Sequence, residues 1–323
     1  MRKIENKVYL EGKVYEHKLE SKVVQNKNSK NYGTPFISGT LDVATDNECL
    51  NIVTVHFICV TEKTSTGKDN TTFSALKKIM ESGKTVIEHG PDEATVVKID
   101  TEVALNDFYT EKDGKEVLVS AKRAEGGFVH ILNKIEHEEE ESRNKFSVDA
   151  VLRGYKIVEK NEEKHIDEDY MILNGFIFNF RNAILPVDFV VRKSDGMKYF
   201  EHLDPSSQNL IFTKLFGYIN SSVIKEPRVE ESAFGAPIIT EYTRNIKEWV
   251  IISAAAVPYE FGDENTGITV EELQKALSDR ELYLADVKKR SDDWKAAKAA
   301  NNTKTVAATN VASMNALAGG FNF

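Results

Sequence analysis

Phe176, Phe178 and Phe180 alternate along one segment and are followed at once by Arg181-Asn182. In an extended chain, residues two apart point to the same face. The three rings would therefore share a face, with a cation at its rim. Aromatic faces stack bases and cations hold phosphates, which is what a single-stranded nucleic-acid groove requires. The same alternation also suits the core face of a sheet, and the sequence leaves both readings open. A second cluster joins Lys122 and Arg123 to Phe128 and His130 around Gly126-Gly127. A third gathers Lys30, Tyr32 and Phe36, with Lys68 in a later Gly/Ser/Thr-rich loop; Lys198 and Tyr199 form a fourth.

Catalytic patterns do not stand up. Thr66-Gly67-Lys68-Asp69 has the Gly-Lys of a phosphate loop but neither its first glycine nor the following Ser/Thr. No histidine pairs with another His or Cys at ligand spacing, so neither a metal nor a cofactor is expected. Ser206-Ser207 lacks the glycines of a nucleophile elbow. The expectation is a non-catalytic protein. Cys49 and Cys59 sit in apolar, strand-like surroundings and read as buried free thiols of a reducing compartment.

Composition bounds the class. With 323 residues, 41% apolar and 29% charged, the chain suits two globular domains. Neither a membrane span nor the apolar core of a signal peptide is evident, so a cytoplasmic location is expected. A net charge of −9 argues against coating nucleic acid by bulk charge. The charge is uneven, however: Met1 to Pro35 carries eight Lys/Arg against four Glu.

Taken in order, residues 7–19 alternate around Gly12 as a long bent strand, and 36–44 and 51–60 give two more. A helix at Phe73–Met80 and strands at 94–100 and 116–122 complete a unit. After an acidic run the order begins again, with a strand at 146–158, the hairpin carrying the Phe triplet, an irregular helix near 199–209, and strands at 211–220 and 248–254. A long excursion, Pro227 to Asn245, interrupts the second unit and points to a functional or interface role. Strand, strand, strand, helix, strand, strand is the order of a five-stranded Greek-key barrel of the OB type.

The expected fold is thus mainly β (α+β): two tandem OB-like five-stranded Greek-key barrels, then a C-terminal helix and a flexible tail. The boundaries are 1–136 for the first barrel, 137–145 for an acidic linker, 146–262 for the second barrel, 263–297 for the helix and 298–323 for the tail. Thr269 and Glu272 form a capping box at the helix start, and the helix is expected to pack on the second barrel.

Phe36–Phe57, Ser120–Phe128 and Gly175–Phe189 together resemble bacteriophage single-stranded DNA-binding proteins. That resemblance implies an OB-fold protein of replication, recombination or repair, binding single-stranded DNA with little sequence preference and weakening steeply with salt. The OB-type reading itself nominates as nucleic-acid-binding residues Lys30, Tyr32, Phe36, Lys68, Lys122, Arg123, Phe128, His130, Phe178, Arg181, Lys198 and Tyr199. The apolar tip, Phe321 and Phe323, resembles the family's partner-recruiting end, although Ala296–Phe323 has Lys298 and Lys304 in place of acid. The alternative from another class is a phage structural or assembly protein built of self-associating β-barrels.

Overall fold

A computed structural model of the chain describes residues 4–29, 32–161, 166–230, 234, 238–262 and 267–318. The first half builds β1 (Asn6–Val23), β2 (Pro35–Ala44), β3 (Ile52–Thr61), α1 (Thr71–Ser82), α2 (Val86–His89), β4 (Val96–Lys112) and β5 (Lys115–Leu132). The second builds β6 (Asn144–Val158), β7 (Tyr170–Phe178), β8 (Ile184–Val191), α3 (Ser194–Leu203), β9 (Ile211–Asn220), β10 (Val223–Glu230), β11 (Ile238–Asn245) and β12 (Glu248–Ala254). Helix α4 (Val270–Ala318) follows.

Ten strands form one mainly antiparallel sheet, ordered β2-β3-β5-β4-β1-β6-β7-β8-β12-β9. The extra pairings β2–β1 and β6–β9 close each half into a five-stranded ring. In each ring the one parallel pairing joins the third strand to the last, β3 with β5 and β8 with β12. Inward residues fill the rings: Leu10, Leu41, Val55 and Ile99 in the first, Leu152, Leu173, Phe189 and Phe212 in the second, all buried. Apolar alternation sets these registers, because a one-residue slip would turn every core side chain to solvent.

The two halves use the same device to close. Asn6, at the start of β1, brackets Val103 of β4: its Oδ1 accepts from Val103 N at 2.9 Å and its Nδ2 donates to Val103 O at 2.9 Å. Asn144, at the start of β6, brackets Ile219 of β9 in the same way, at 3.1 and 2.7 Å. Five residues further on, each first strand buries an acid, Glu11 and Asp149, and each takes a backbone N–H at the junction between the halves.

Two glycines allow strands to cross closely. Gly39 has φ 130°, and a Cβ there would overlap Lys18 O of β1. Gly127 has φ 94°, and a Cβ would overlap Asp100 O of β4. Gly127→Ala should therefore lower stability by about 1–3 kcal/mol, as a leftward shift of the urea midpoint; an unshifted midpoint would refute the close crossing.

The segment expected to be an acidic linker is a tight clasp. A 3-10 turn at Glu140–Ser142 leads straight into β6. Buried Arg143 donates from Nε to His137 O at 2.6 Å, from Nη1 to Asn47 Oδ1 at 2.7 Å and from Nη2 to Glu138 O at 2.7 Å. β6 then pairs directly with β1, Asn6 opposite Val148. The excursion at Pro227–Asn245 contains most of a two-stranded hairpin, β10 with β11.

The chain divides into two compact units, Met1–Ala104 with Lys122–Leu273, and Leu105–Ala121 with Gln274–Phe323. The second consists of the far end of the β4–β5 hairpin and α4. The hairpin turns at Asp113-Gly114, both at positive φ, as a two-residue turn requires. Arg280 donates to Asp107 Oδ2 at 2.8 Å and Oδ1 at 2.5 Å, and Lys288 reaches Glu116 at 2.7 Å. Within its own unit α4 thus packs on the far end of the β4–β5 hairpin, a contact the sequence did not suggest. The capping box is present: Thr269 N donates to Glu272 Oε2 at 2.9 Å and Glu272 N to Thr269 Oγ1 at 3.1 Å. The helix also continues past 297, through the segment expected as flexible tail, to Ala318, consistent with alanine's high helix propensity.

Candidate nucleic-acid interface

At one end of the first ring the strands part into an open groove of about 760 Å³, lined by Ser21 to Asn26 from the end of β1 and the following loop, by Phe36 of β2, and by Ile58 and Cys59 of β3. Register explains the gathering. Lys22 pairs with Phe36 and Phe36 with Thr61, so the three strands meet at one level. Outward alternation on β3 leaves Ile58 exposed, after buried Phe57. Tyr32, in the loop before β2, is also exposed.

Phe128 follows on β5, which runs parallel to β3 with Glu125 opposite His56. The Gly126-Gly127 distortion of β5 turns its ring out, 64% exposed. Thr72 Oγ1, in the first turn of α1, donates to Gly127 O at 3.3 Å, which ties Phe128's neighbour to the helix following the Lys63–Asp69 loop. That loop is a closed turn. Thr64 N donates to Lys68 O at 2.8 Å and Gly67 N to Thr64 O at 2.9 Å, while Lys63 pairs with Asp69. Lys68 itself is exposed.

The Lys122-Arg123-Phe128 cluster read from the sequence is taken apart by the fold. Neighbours on a strand face opposite ways, and each cation finds its own partner. Lys122 Nζ donates to Asp188 O on β8 and lies 5.8 Å from the Phe189 ring. Burial lowers its pKa to about 8, against the pull of Asp188 and Glu248. Arg123 pairs with Glu125 two residues along. Both are largely spent within the fold, whereas His130 is exposed.

The Phe triplet is also divided. β7 ends at Phe178, and Asn179 Oδ1 accepts from Arg181 N at 2.9 Å and Ala183 N at 3.0 Å, turning the chain. Asn182 takes the left-handed conformation, φ 61°. Phe176 and Phe178 are core, Phe178 with 1% of its surface exposed, which corrects its assignment as a stacking residue. Phe180 lies in the turn, exposed, with the Arg181 guanidinium 4.9 Å from its ring centre. Lys198 is exposed on α3, while Tyr199 is half-buried and donates its hydroxyl to Ala255 O at 3.0 Å.

On the second ring the Arg192 cation is taken up by ion pairs. Arg192 holds Glu248 at 2.7 and 2.9 Å and Glu168 at 3.2 Å, over the Tyr170 ring at 5.1 Å. Lys30, Phe321 and Phe323 lie outside the described residues. Cys59 is exposed in the groove and Cys49 is half-buried, so neither is the buried thiol that its apolar neighbours suggested. The sequence did not nominate Ile58, and it grouped the exposed Phe180 with two rings that are core. The available signals were alternation from buried Phe57 and the Asn179 turn chemistry. Among the described residues no three His, Cys, Asp or Glu side chains converge to hold a metal, and no helix is long and apolar enough to cross a membrane.

This arrangement defines a mainly β protein of two closed five-stranded halves, a long C-terminal helix and an open apolar groove at the edge of the first half. A family model, YorF, matches residues 5–290, and the chain belongs to the YorF family. No curated protein matches the sequence. Among solved structures, a deletion mutant of the single-stranded DNA-binding protein from Thermus aquaticus aligns at TM-score 0.45 and 10% identity, over 82% of this chain and 100% of that chain. The wild-type form of that Thermus aquaticus protein aligns at TM-score 0.37 and 8% identity, over 81% and 98%.

Proposed function

We propose that this protein binds single-stranded DNA without catalysis, through the groove of its first half, and that both halves are OB-type Greek-key barrels. The observation that carries the reading is the groove between β1, β2 and β3, lined by Phe36 and Ile58, with the exposed Phe128 on β5, the strand that runs parallel to β3. In OB barrels the second and third strands and their flanking loops form the binding face. Bases splayed from a single strand can stack on such rings irrespective of sequence, whereas a duplex keeps its bases inside. A role in replication or recombination follows as the use of such an activity.

The cations temper the expected salt response. Among the described residues, Lys22 pairs with Glu20 and Lys63 with Asp69, while Lys27 and Lys68 are exposed cations of the neighbouring loops. Stacking then carries most of the affinity. With about two to four phosphates neutralised, log K should fall with log salt at a slope of roughly −1.5 to −3, shallower than the sequence suggested.

The test is fluorescence anisotropy with a labelled strand of about 30 nucleotides, long enough to span an OB site, and its duplex. Single-strand preference is expected. Phe128→Ala should weaken it by about 1–3 kcal/mol, roughly 5- to 150-fold. Equal affinity for strand and duplex, or none at low salt, would overturn the proposal.

A further inference from the structure

The exposed side of α4 carries an ordered stripe. Asp279, Tyr283, Asp286, Arg290, Trp294 and Lys298 follow one another at steps of three or four residues, so they line one face. All six are exposed, Trp294 at 63%. The adjoining side is engaged in its own unit: Val287 is buried, and Arg280 and Lys288 reach Asp107 and Glu116. The stripe has acid in its first half and base in its second, with an aromatic ring in each.

Read backwards, that order is its own complement. A two-fold axis crossing α4 between Lys288 and Lys289 would set Asp279 level with the partner's Lys298 and Tyr283 level with the partner's Trp294. Asp286 would fall within one residue of the partner's Arg290. We propose that a second copy of this chain covers this face, α4 packing antiparallel on α4 over about 30 Å with two ring contacts and four ion pairs. The same groups now pair along one helix, Asp286 with Arg290 at 3.0 Å and Lys298 over Trp294 at 5.0 Å. Exposed pairs of this kind are worth little and exchange readily for intermolecular ones. An isologous contact needs a self-complementary patch, and this stripe is one.

Sedimentation velocity of the full chain from low to high micromolar concentration tests the proposal, with circular dichroism to confirm that α4 stays helical. A reversible dimer is expected. Trp294→Ala, an exposed site, should weaken it about tenfold or more. Asp279→Lys should weaken it as well, and adding Lys298→Asp to the same chain should restore it, since the swap re-forms both ion pairs only in the antiparallel register. A monomer at every concentration would overturn the proposal and leave the stripe to some other partner. A dimer indifferent to Trp294→Ala, or a charge reversal without rescue, would overturn it too.

Discussion

Phe178→Ala is expected to lower the unfolding free energy by about 3–5 kcal/mol, because it empties a fully enclosed volume in the second ring. Affinity for single-stranded DNA should be unchanged wherever the variant remains folded. Ring removal at Phe128 should do the reverse, leaving stability nearly untouched and weakening binding. The contrast follows from geometry: Phe178 is 1% exposed, and Phe128 is 64% exposed. Urea unfolding and anisotropy on the same samples check both halves. A milder Phe178→Leu, costing about 1 kcal/mol or somewhat more, covers the case in which alanine prevents folding. A stable Phe178 variant that had lost DNA affinity would return that ring to the binding face.

The second large effect lies at the junction of the halves. Glu11 is fully buried and accepts from Tyr9 Oη at 2.7 Å, from His137 N at 3.0 Å, from His137 Nδ1 at 2.5 Å and from Glu136 N. Burial pushes its carboxyl upward, but the hydrogen bonds from His137 and Tyr9 and from the backbone outweigh it and hold the pKa at about 2, against an ordinary 4.5. The folded value is the depressed one. Stability from Glu11 is therefore fully present above about pH 4.5 and is lost as pH falls from there towards 2. A shift of this size corresponds to about 3 kcal/mol. Glu11→Ala should cost on the order of 3–5 kcal/mol at neutral pH, by orphaning buried donors, and should flatten the acid limb of the stability curve between pH 4.5 and 2. Urea midpoints at pH 7, 4 and 3 would show it, and parallel acid limbs for the two proteins would refute the assignment.

Each effect shows how far a sequence carries its own interpretation. Strand alternation, the α1 pattern before Gly83 and the Thr269–Glu272 capping box are local. Each depends on residues within a few positions, and each was legible. The repeated order of elements was legible for the same reason, although the device that closes both halves was not. Asn6 bracketing Val103 and Asn144 bracketing Ile219 join residues far apart in sequence, and an asparagine alone carries no mark of its partner.

The candidate site divides along the same line. Sequence determined which residues are aromatic or cationic and that the strands alternate, so Phe36 and Phe128 could be nominated. Tertiary structure decided which of them face solvent. Phe176 and Phe178 face the core along β7, which ends at Phe178, and Asn179 then turns the chain and leaves Phe180 outside. Lys122 and Arg123 were consumed by Asp188 and Glu125 because neighbours on a strand face opposite ways. The partner of α4 was likewise decided in three dimensions, through Asp107 and Glu116 of a hairpin more than 150 residues upstream. Composition fixes which groups a chain owns, but exposure and pairing arise only when distant segments compete for the same interior.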